Sequence, residues 1–531
     1  EAFMSVYRER ADETRAVLER FLASKGTGHL WVGDLLNPHS AGTAGVAKLE
    51  EFGFADVHKA REELLLLANG PERKPFARHV RQEFAEITPF LLNALSFTPR
   101  PDTTLRRLGQ ILSRLSAPAT LYDLLERNPV LCHFLVTLVA NSEYLCGLVI
   151  RDPGLMELLS DVDALDIPST REDLDAELAG LQGAYESEAA PYRLRDGEML
   201  RVAMRELVRG ISVTQVGVEL TQLAEVILAD ALRHGRAAAT KRFGENATPF
   251  AILGLGKLGG CEMGYGSDLD LVFVYDSEND PNCPVSPAEY FAAVAAKTLN
   301  RLKEPTRYGV LYDIDPRLRP DGKKGVLAIS DARLRAYYLE EAQPWERLAL
   351  MKARAVAGDA DFAARAEATA RDVAFSLSLD RAGLEHIESL RRQMAAQTSP
   401  LDLKHAEGGT AEVEYTARLW QLRHAAGCPA LKRGDVFGAL EVLDAQASVD
   451  PEQTSFLRDA YAELRRIRHR IRMMDGSQGC TLPDAPEDRE DLAKRLGIEG
   501  DLLEHVDAYR SRVHELTSRS TNAHARKRRD P

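Results

Sequence analysis

Between Gly254 and Leu271 the chain reads Gly-Leu-Gly-Lys-Leu-Gly-Gly-Cys-Glu-Met-Gly-Tyr-Gly-Ser-Asp-Leu-Asp-Leu. No other segment restricts the fold as much. Six glycines fall between positions 254 and 266, and glycine admits positive φ and close approach of the backbone to a ligand. Short apolar runs bracket the stretch, Pro249–Gly254 before it and Leu269–Tyr275 at its end, each bounded by turn residues as strands are. Amides in such a turn can cradle phosphate, and Lys257 adds a point charge. The pattern is not a P-loop, because Leu258 follows Lys257 where that motif requires Ser or Thr. It is also a poor dinucleotide fingerprint, since Gly254-x-Gly256-x-x-Gly259 runs into more glycine and an acidic pair, not a helix.

The acidic pair is Asp268-Leu269-Asp270. Residues i and i+2 of a strand face the same side, so both carboxylates converge from a strand that is otherwise apolar. Two such charges repel unless a cation lies between them. A hard divalent ion such as Mg²⁺, which favours carboxylate and phosphate oxygens, resolves the conflict. The plainer alternative is a strand end with two solvated carboxylates. Further along, Tyr312-Asp-Ile-Asp-Pro-Arg-Leu-Arg-Pro320 follows another apolar run. There Asp313 and Asp315 share a face if the segment is a strand. Asp315 becomes a third metal ligand or a general base, although Asp-Pro often marks only a turn. The planar forks of Arg317 and Arg319 suit a triphosphate.

Around this block the pattern is helical. At 531 residues the chain is expected to hold about three domains. Residues 1–22 read as one amphipathic helix, and 24–44 as a Gly/Thr/Ser-rich linker. Helical periodicity then runs to Arg242, with a kink expected at Pro89 and a break near Gly210-Ile211. Apolar, β-favouring runs at 249–254, 269–275, 309–315 and 325–329 mark a mixed block, and helices return after Phe375. The expected class is α+β and multidomain, predominantly helical, with a mixed-sheet core between helical domains. The domain boundaries are 1–23, 24–245, 246–375, 376–520 and a basic disordered tail, 521–531. Arg465, Arg466, Arg468, Arg470 and Arg472, with His469, read as a solvated basic helix face, docking to an acidic partner being the alternative.

The formal net charge is −13, which argues against sequence-independent nucleic-acid binding. No apolar run is long enough to span a membrane. The six cysteines form no Cys-x-x-Cys pair and no zinc-like cluster. A reduced cytoplasmic setting is therefore expected. The chain begins at Glu1 with no signal-peptide pattern, as a portion of a longer protein would.

A Gly-rich turn, an Asp-x-Asp and a later Asp on another strand resemble the polymerase-β-like nucleotidyltransferase superfamily. The wording from Gly254 to Leu271 resembles one branch, the glutamine synthetase adenylyltransferase family. Other motifs agree in order: Leu311-Tyr-Asp-Ile-Asp-Pro-Arg-Leu-Arg-Pro-Asp-Gly322, Trp345-Glu346 with Met351-Lys-Ala-Arg354, and Asp402-Leu-Lys404 with Glu407-Gly-Gly409 and Glu412-Val-Glu414. The family carries two nucleotidyltransferase halves joined by a helical linker, one adding AMP and one removing it. This chain has one such core. Its Gly-Tyr-x-Ser-Asp-Leu-Asp wording is similar to the AMP-adding half. Gln343-Pro344 departs from the Trp common ahead of Trp345 in that half.

The resemblance implies transfer of AMP from ATP to a tyrosine of glutamine synthetase, regulating nitrogen assimilation. It implies Asp268, Asp270 and Asp315 as catalytic metal ligands for Mg²⁺, with Mn²⁺ as the alternative. Gly256, Lys257, Gly259, Gly260, Ser267, Arg317 and Arg319 would hold the nucleotide. Asp313, Glu346, Lys404, Glu412 and Glu414 are further candidates. Glu412 and Glu414 cannot share a helix face, where neighbours lie three or four apart. A PII-type signalling protein and glutamine are the implied effectors. Two other readings stand beside this one: the AMP-removing half, and a regulatory module that binds nucleotide or PII protein without turnover. A template-independent RNA nucleotidyltransferase is disfavoured by the acidic charge.

Overall fold

The computed structural model describes residues 30–526, apart from 72–74, 114–117, 153, 157–162, 185–187, 278–282, 316–317, 321, 323–324, 378 and 476–478. The helix expected at 1–22, Arg317 and the end of the basic tail lie outside the described residues. The described chain falls into two compact units. One runs up to Ile167 and includes Ala203–Ile211; the other comprises Pro168–Val202 and Ser212 onward. The whole is a mostly helical α+β protein, as the hydrophobic pattern predicts. No helix of the described residues is long and apolar enough to cross a membrane.

The first unit is helical. Helix Arg78–Ser96 continues through Pro89, and the Thr88 hydroxyl donates to the Phe84 carbonyl at 2.7 Å just before it. Helix Val130–Asn141 is apolar almost all round and correspondingly buried. It stops at Ser142, whose hydroxyl caps the next helix by accepting from the Leu145 amide at 2.9 Å. The segment expected to be a linker at 24–44 contains helix Leu30–Leu35, with Val32 and Leu35 buried. Asp34 then caps helix Thr43–Glu51 from a distance, accepting from the Ala44 and Gly45 amides at 2.9 and 3.2 Å. A small polar composition here serves capping, not flexibility.

The second unit holds the sheet. Its strands are β1 (Phe250–Gly254), β2 (Leu269–Tyr275), β3 (Ile314–Asp315), β4 (Ala328–Ser330) and β5 (Arg354–Gly358). β1 lies antiparallel between β2 and β5. The other edge of β2 is shared by β3 and β4, both parallel to it. Every residue of β1 is buried because both sheet faces are covered. Ala251 and Leu253 face a core with Phe362 and Ala366, while Phe250 stacks on Phe291 at 4.7 Å between ring centroids.

Seven helices position the site: α1 (Val213–Phe243), α2 (Pro287–Lys303), α3 (Ala360–Phe375), α4 (Arg381–Ala396), α5 (Thr410–His424), α6 (Val436–Ala445) and α7 (Pro451–Asp475). α1 begins where the break at Gly210 was expected, with Ser212 and Gln215 forming a capping box. The C-terminal helix Leu502–Arg526 runs into the span expected to be a disordered tail.

Two strand expectations shrink. The run 309–315 yields only the two residues of β3, because the Leu311 and Tyr312 amides both turn back to the Leu302 carbonyl at 3.1 Å. The run 325–329 yields β4. β5 is an addition: Arg354-Ala-Val-Ala-Gly is alanine-rich and carries little strand signal of its own.

Candidate active site

β1 ends at Gly254, and the chain makes a single helical turn, Gly256–Gly259, before returning as β2. Gly256 has φ +53, and a Cβ there would overlap Asp270 Oδ2. A Cβ at Gly259 would overlap the carbonyls of Lys352 and Gly254. These two glycines therefore let the turn pack under the acidic pair. Arg354 of β5 holds the turn from below, donating to the Leu258 and Gly259 carbonyls at 2.9 and 3.2 Å.

Asp268 immediately precedes β2, Asp270 lies within it, and Asp315 ends β3. Parallel pairing sets Asp270 opposite Asp315 and Leu269 opposite Ile314. The Leu269 amide donates to the Asp313 carbonyl at 2.9 Å, which fixes this register. The result is a cluster in which one oxygen of each of Asp268, Asp270 and Asp315 lies within 4.8 Å of the others. Burial, then the charges of Asp268 and Asp315, push the Asp270 carboxyl up to about 7, with Lys404 and Lys352 opposing. Three half-buried carboxylates at this separation are a hard-oxygen donor set that fits a divalent cation. Asp313 is exposed and outside the cluster, since only two residues of its segment form a strand.

Lys257 lines a pocket with Ser267 and Asp268 and is also engaged within the protein. Its Nζ pairs with Glu414 Oε1 at 2.6 Å and donates to Tyr461 Oη at 2.7 Å. Lys352 Nζ bridges Glu414 Oε2 at 2.6 Å and Glu262 Oε2 at 3.1 Å. The Val436 amide donates to Glu262 Oε1 at 2.8 Å. Burial pulls the Lys257 ammonium down, to about 7, against the pull of Glu414. Burial raises the Glu414 carboxyl, but the two ammonium groups outweigh it and hold it well below the usual range. The motif residues Lys257, Lys352 and Glu414 thus join the core, α5 and α7 through charge.

The remaining candidates separate. Glu412 is buried on the other side of α5, paired with Arg391 of α4 and 3.1 Å from His514 Nδ1. Glu346 closes a helix start, accepting from the Gln343 amide at 2.8 Å and the Tyr337 hydroxyl at 2.7 Å. Arg319 Nε closes a local turn on the Gly322 carbonyl at 2.9 Å. A Cβ at Gly260 would sit 3.1 Å from Glu262 Oε2, so this glycine also serves packing. Ser267 Oγ accepts from the Gly264 amide at 3.0 Å, shaping the loop that delivers Asp268.

The largest departure from expectation is the basic helix. Arg465, Arg468 and His469 are buried, not solvated. With Arg472, Lys404, Ser267 and Asp268 they line one pocket. The signal was in the spacing: 465, 468 and 472 recur on one face, while Leu464, Ile467 and Ile471 fill a core on another.

The glutamate-ammonia ligase adenylyltransferase family model matches residues 132–369, and the GlnD PII-uridylyltransferase model matches residues 384–521. A bifunctional glutamine synthetase adenylyltransferase/adenylyl-removing enzyme of Thioalkalivibrio sulfidiphilus is 32% identical over 87% of the chain and 50% of its own length. The chain belongs to the glutamine synthetase adenylyltransferase family. The family member of Chromobacterium violaceum is 32% identical over 81% of the chain and 48% of its own length. That of Methylococcus capsulatus is 34% identical over 71% and 42%. The chain spans about half the length of the curated relatives it matches.

Proposed function

We propose that this chain is the adenylylating half of its family. It moves AMP from ATP to a tyrosine of glutamine synthetase and releases pyrophosphate, so regulating nitrogen assimilation. The observation that carries the reading is the triad of Asp268, Asp270 and Asp315, three carboxylates whose oxygens the fold draws within 4.8 Å of one another. A protein that only bound a partner would gain nothing from this arrangement. The Gly264-Tyr-Gly-Ser-Asp-Leu-Asp270 wording supports the AMP-adding direction.

The three carboxylates are the residues that would hold Mg²⁺, or Mn²⁺ in its place. Such an ion supplies Lewis-acid charge to phosphate and hydroxyl oxygens. Tyrosine hydroxyls titrate near 10 and are weak nucleophiles when protonated, to order of magnitude. In this reading Asp315 accepts the hydroxyl proton as the tyrosine oxygen bonds to the α-phosphorus. The bond from that phosphorus to the bridging oxygen breaks, and its electron pair leaves with pyrophosphate. The turn Gly256–Gly260 and Ser267 shape the floor on which the nucleotide rests.

In the same reading residues 24–245 form the linker, 246–375 the catalytic core and 376–520 the helical bundle. The match of 384–521 to a PII-uridylyltransferase model supports the bundle as the place where a PII-type protein acts, with glutamine as the second effector. The setting is the bacterial cytoplasm.

The test is the intact mass of glutamine synthetase subunits incubated with this chain and Mg-ATP. One AMP gained per subunit, and none with an Asp268→Asn/Asp270→Asn variant, is the expected result. AMP lost from pre-adenylylated subunits in the presence of phosphate would assign the chain to the AMP-removing activity. No mass change in either direction would overturn the reading.

A further inference from the structure

α7 presents Arg465, Arg468, His469 and Arg472 at helical spacings of three and four, so the four side chains share a face. The pocket they line with Lys404 is also bordered by Ser267 and Asp268. The lining is mostly cationic and includes one member of the carboxylate triad, Asp268.

Two of the arginines are deeply buried, Arg465 at 3% and Arg468 at 7% exposure. Neither forms an ion pair among the described residues. Arg465 Nη2 donates to the carbonyls of Glu262 and Met263 at 2.7 and 3.3 Å, and its buried Nη1 has no hydrogen-bond partner. Arg468 Nη1 reaches Thr410 Oγ1 at 3.3 Å, and its buried Nε has no partner. Arg472 Nη1 donates to the Tyr265 carbonyl at 2.8 Å. Carbonyl and hydroxyl acceptors satisfy donors, but they do not neutralise charge.

Two carboxylates stand in the pocket wall, Glu262 and Asp268, and Glu262, which attracts Arg465, is already engaged. Its oxygens accept from Lys352 Nζ, Tyr461 Oη and the Val436 amide. Burial of cations without a counter-anion is destabilising. The arrangement becomes favourable once an anion with several oxygens enters. Guanidinium forks match phosphate oxygens in this way.

The geometry points to a polyphosphate subsite in which Arg465, Arg468, Arg472 and Lys404 hold the β- and γ-phosphates of the nucleotide and then the pyrophosphate it leaves. This inference rests on the AMP-transfer reading. Lys257 lines the same pocket, with two of its contacts made to Glu414 and Tyr461, so the arginines and Lys404 carry the phosphate-holding role beside it.

The test measures binding of inorganic pyrophosphate and of AMP by titration calorimetry, without added metal, to the chain and its variants. The expected result is pyrophosphate binding that weakens about tenfold or more in Arg468→Met and Arg472→Met, as loss of a charge-assisted contact implies. AMP binding should stay within about twofold, because AMP lacks the phosphates these residues read. Asp268→Asn should not weaken pyrophosphate binding, and Arg468→Lys should retain part of it. Should Arg468→Met fail to fold, Arg472→Met carries the test from its half-buried position.

Unchanged pyrophosphate affinity in a folded arginine variant would overturn the inference. So would equal loss of AMP and pyrophosphate, which marks a purely structural role, or no pyrophosphate binding by the parent chain. AMP transfer with pyrophosphate binding indifferent to the arginines removes the subsite and leaves the activity. Arginine-dependent pyrophosphate binding without AMP transfer does the reverse.

Discussion

Two charged clusters lie close together in the second unit and are built on opposite principles. In one, Lys257, Lys352, Glu262 and Glu414 alternate in sign around Tyr461, with contacts of 2.6 to 3.2 Å. In the other, Asp268, Asp270 and Asp315 share one sign and converge within 4.8 Å of one another. Both come from segments that read alike in sequence, short and dense in charge between glycines and apolar runs. The difference teaches where to look for chemistry. Opposite charges that saturate one another are a structural joint. Like charges held together by the fold are waiting for a ligand of the other sign.

Breaking the like-charged cluster should have the largest effect on activity and the least on folding. Asp270→Asn removes a charge that burial and two neighbours disfavour. AMP transfer is expected to fall by about 10³-fold, the scale seen when a transition-state charge partner is lost. The melting temperature of the metal-free protein should hold or rise. A variant that unfolds while retaining transfer would reverse the assignment of the two clusters.

Breaking the alternating cluster should do the opposite. Lys352 is 6% exposed and serves two buried carboxylates. Lys352→Met strips Glu262 of its ammonium partner and leaves Glu414 to Lys257 alone, at a cost of about 3–5 kcal/mol for a broken buried pair. Urea denaturation reads this directly. The double variant Lys352→Met/Glu414→Gln should lose less than the sum of its single changes, since it removes one of the stranded charges.

A gentler comparison adds metal instead of removing residues. At about a hundred times its dissociation constant, a divalent ion that binds only the folded state stabilises by about 2.7 kcal/mol. Mg²⁺ is therefore expected to raise the melting temperature of the parent chain and not that of Asp270→Asn. An equal rise in both would place the ion elsewhere.

These contrasts also show how far the residues alone could carry the reading. β1, β2 and the convergence of Asp268 with Asp270 were legible, because strand periodicity is local. Asp315 was legible through its motif, although β3 is only two residues long and the run around it is tied to the end of α2. The contacts of Lys257 and Gly256 were not legible, for one reason. A glycine-rich turn with a lysine suits a phosphate cradle, but here Gly256 makes room for Asp270 and the lysine turns inward to Glu414. That partner lies 157 residues away in sequence, beyond any local pattern. The α7 arginines were visible as a face of the helix. Sequence spacing says which residues share a face, not whether that face meets water or a pocket.

The smallest expected effect comes from Glu346, which belongs to neither cluster despite its place in a family motif. Its carboxylate accepts from the Gln343 amide and the Tyr337 hydroxyl, so it caps a helix start. Glu346→Ala should cost about 1–2 kcal/mol, the net worth of one or two such bonds. AMP transfer should change by no more than about twofold at a temperature where the variant is folded, well under the 1.4 kcal/mol that a tenfold change represents. The comparison is sharpest with both quantities measured on one preparation, stability by urea and rate by subunit mass. A large loss of rate with unchanged stability would move Glu346 out of the scaffold and into the site. That result would also make the Tyr337–Glu346 contact the next place to look for substrate.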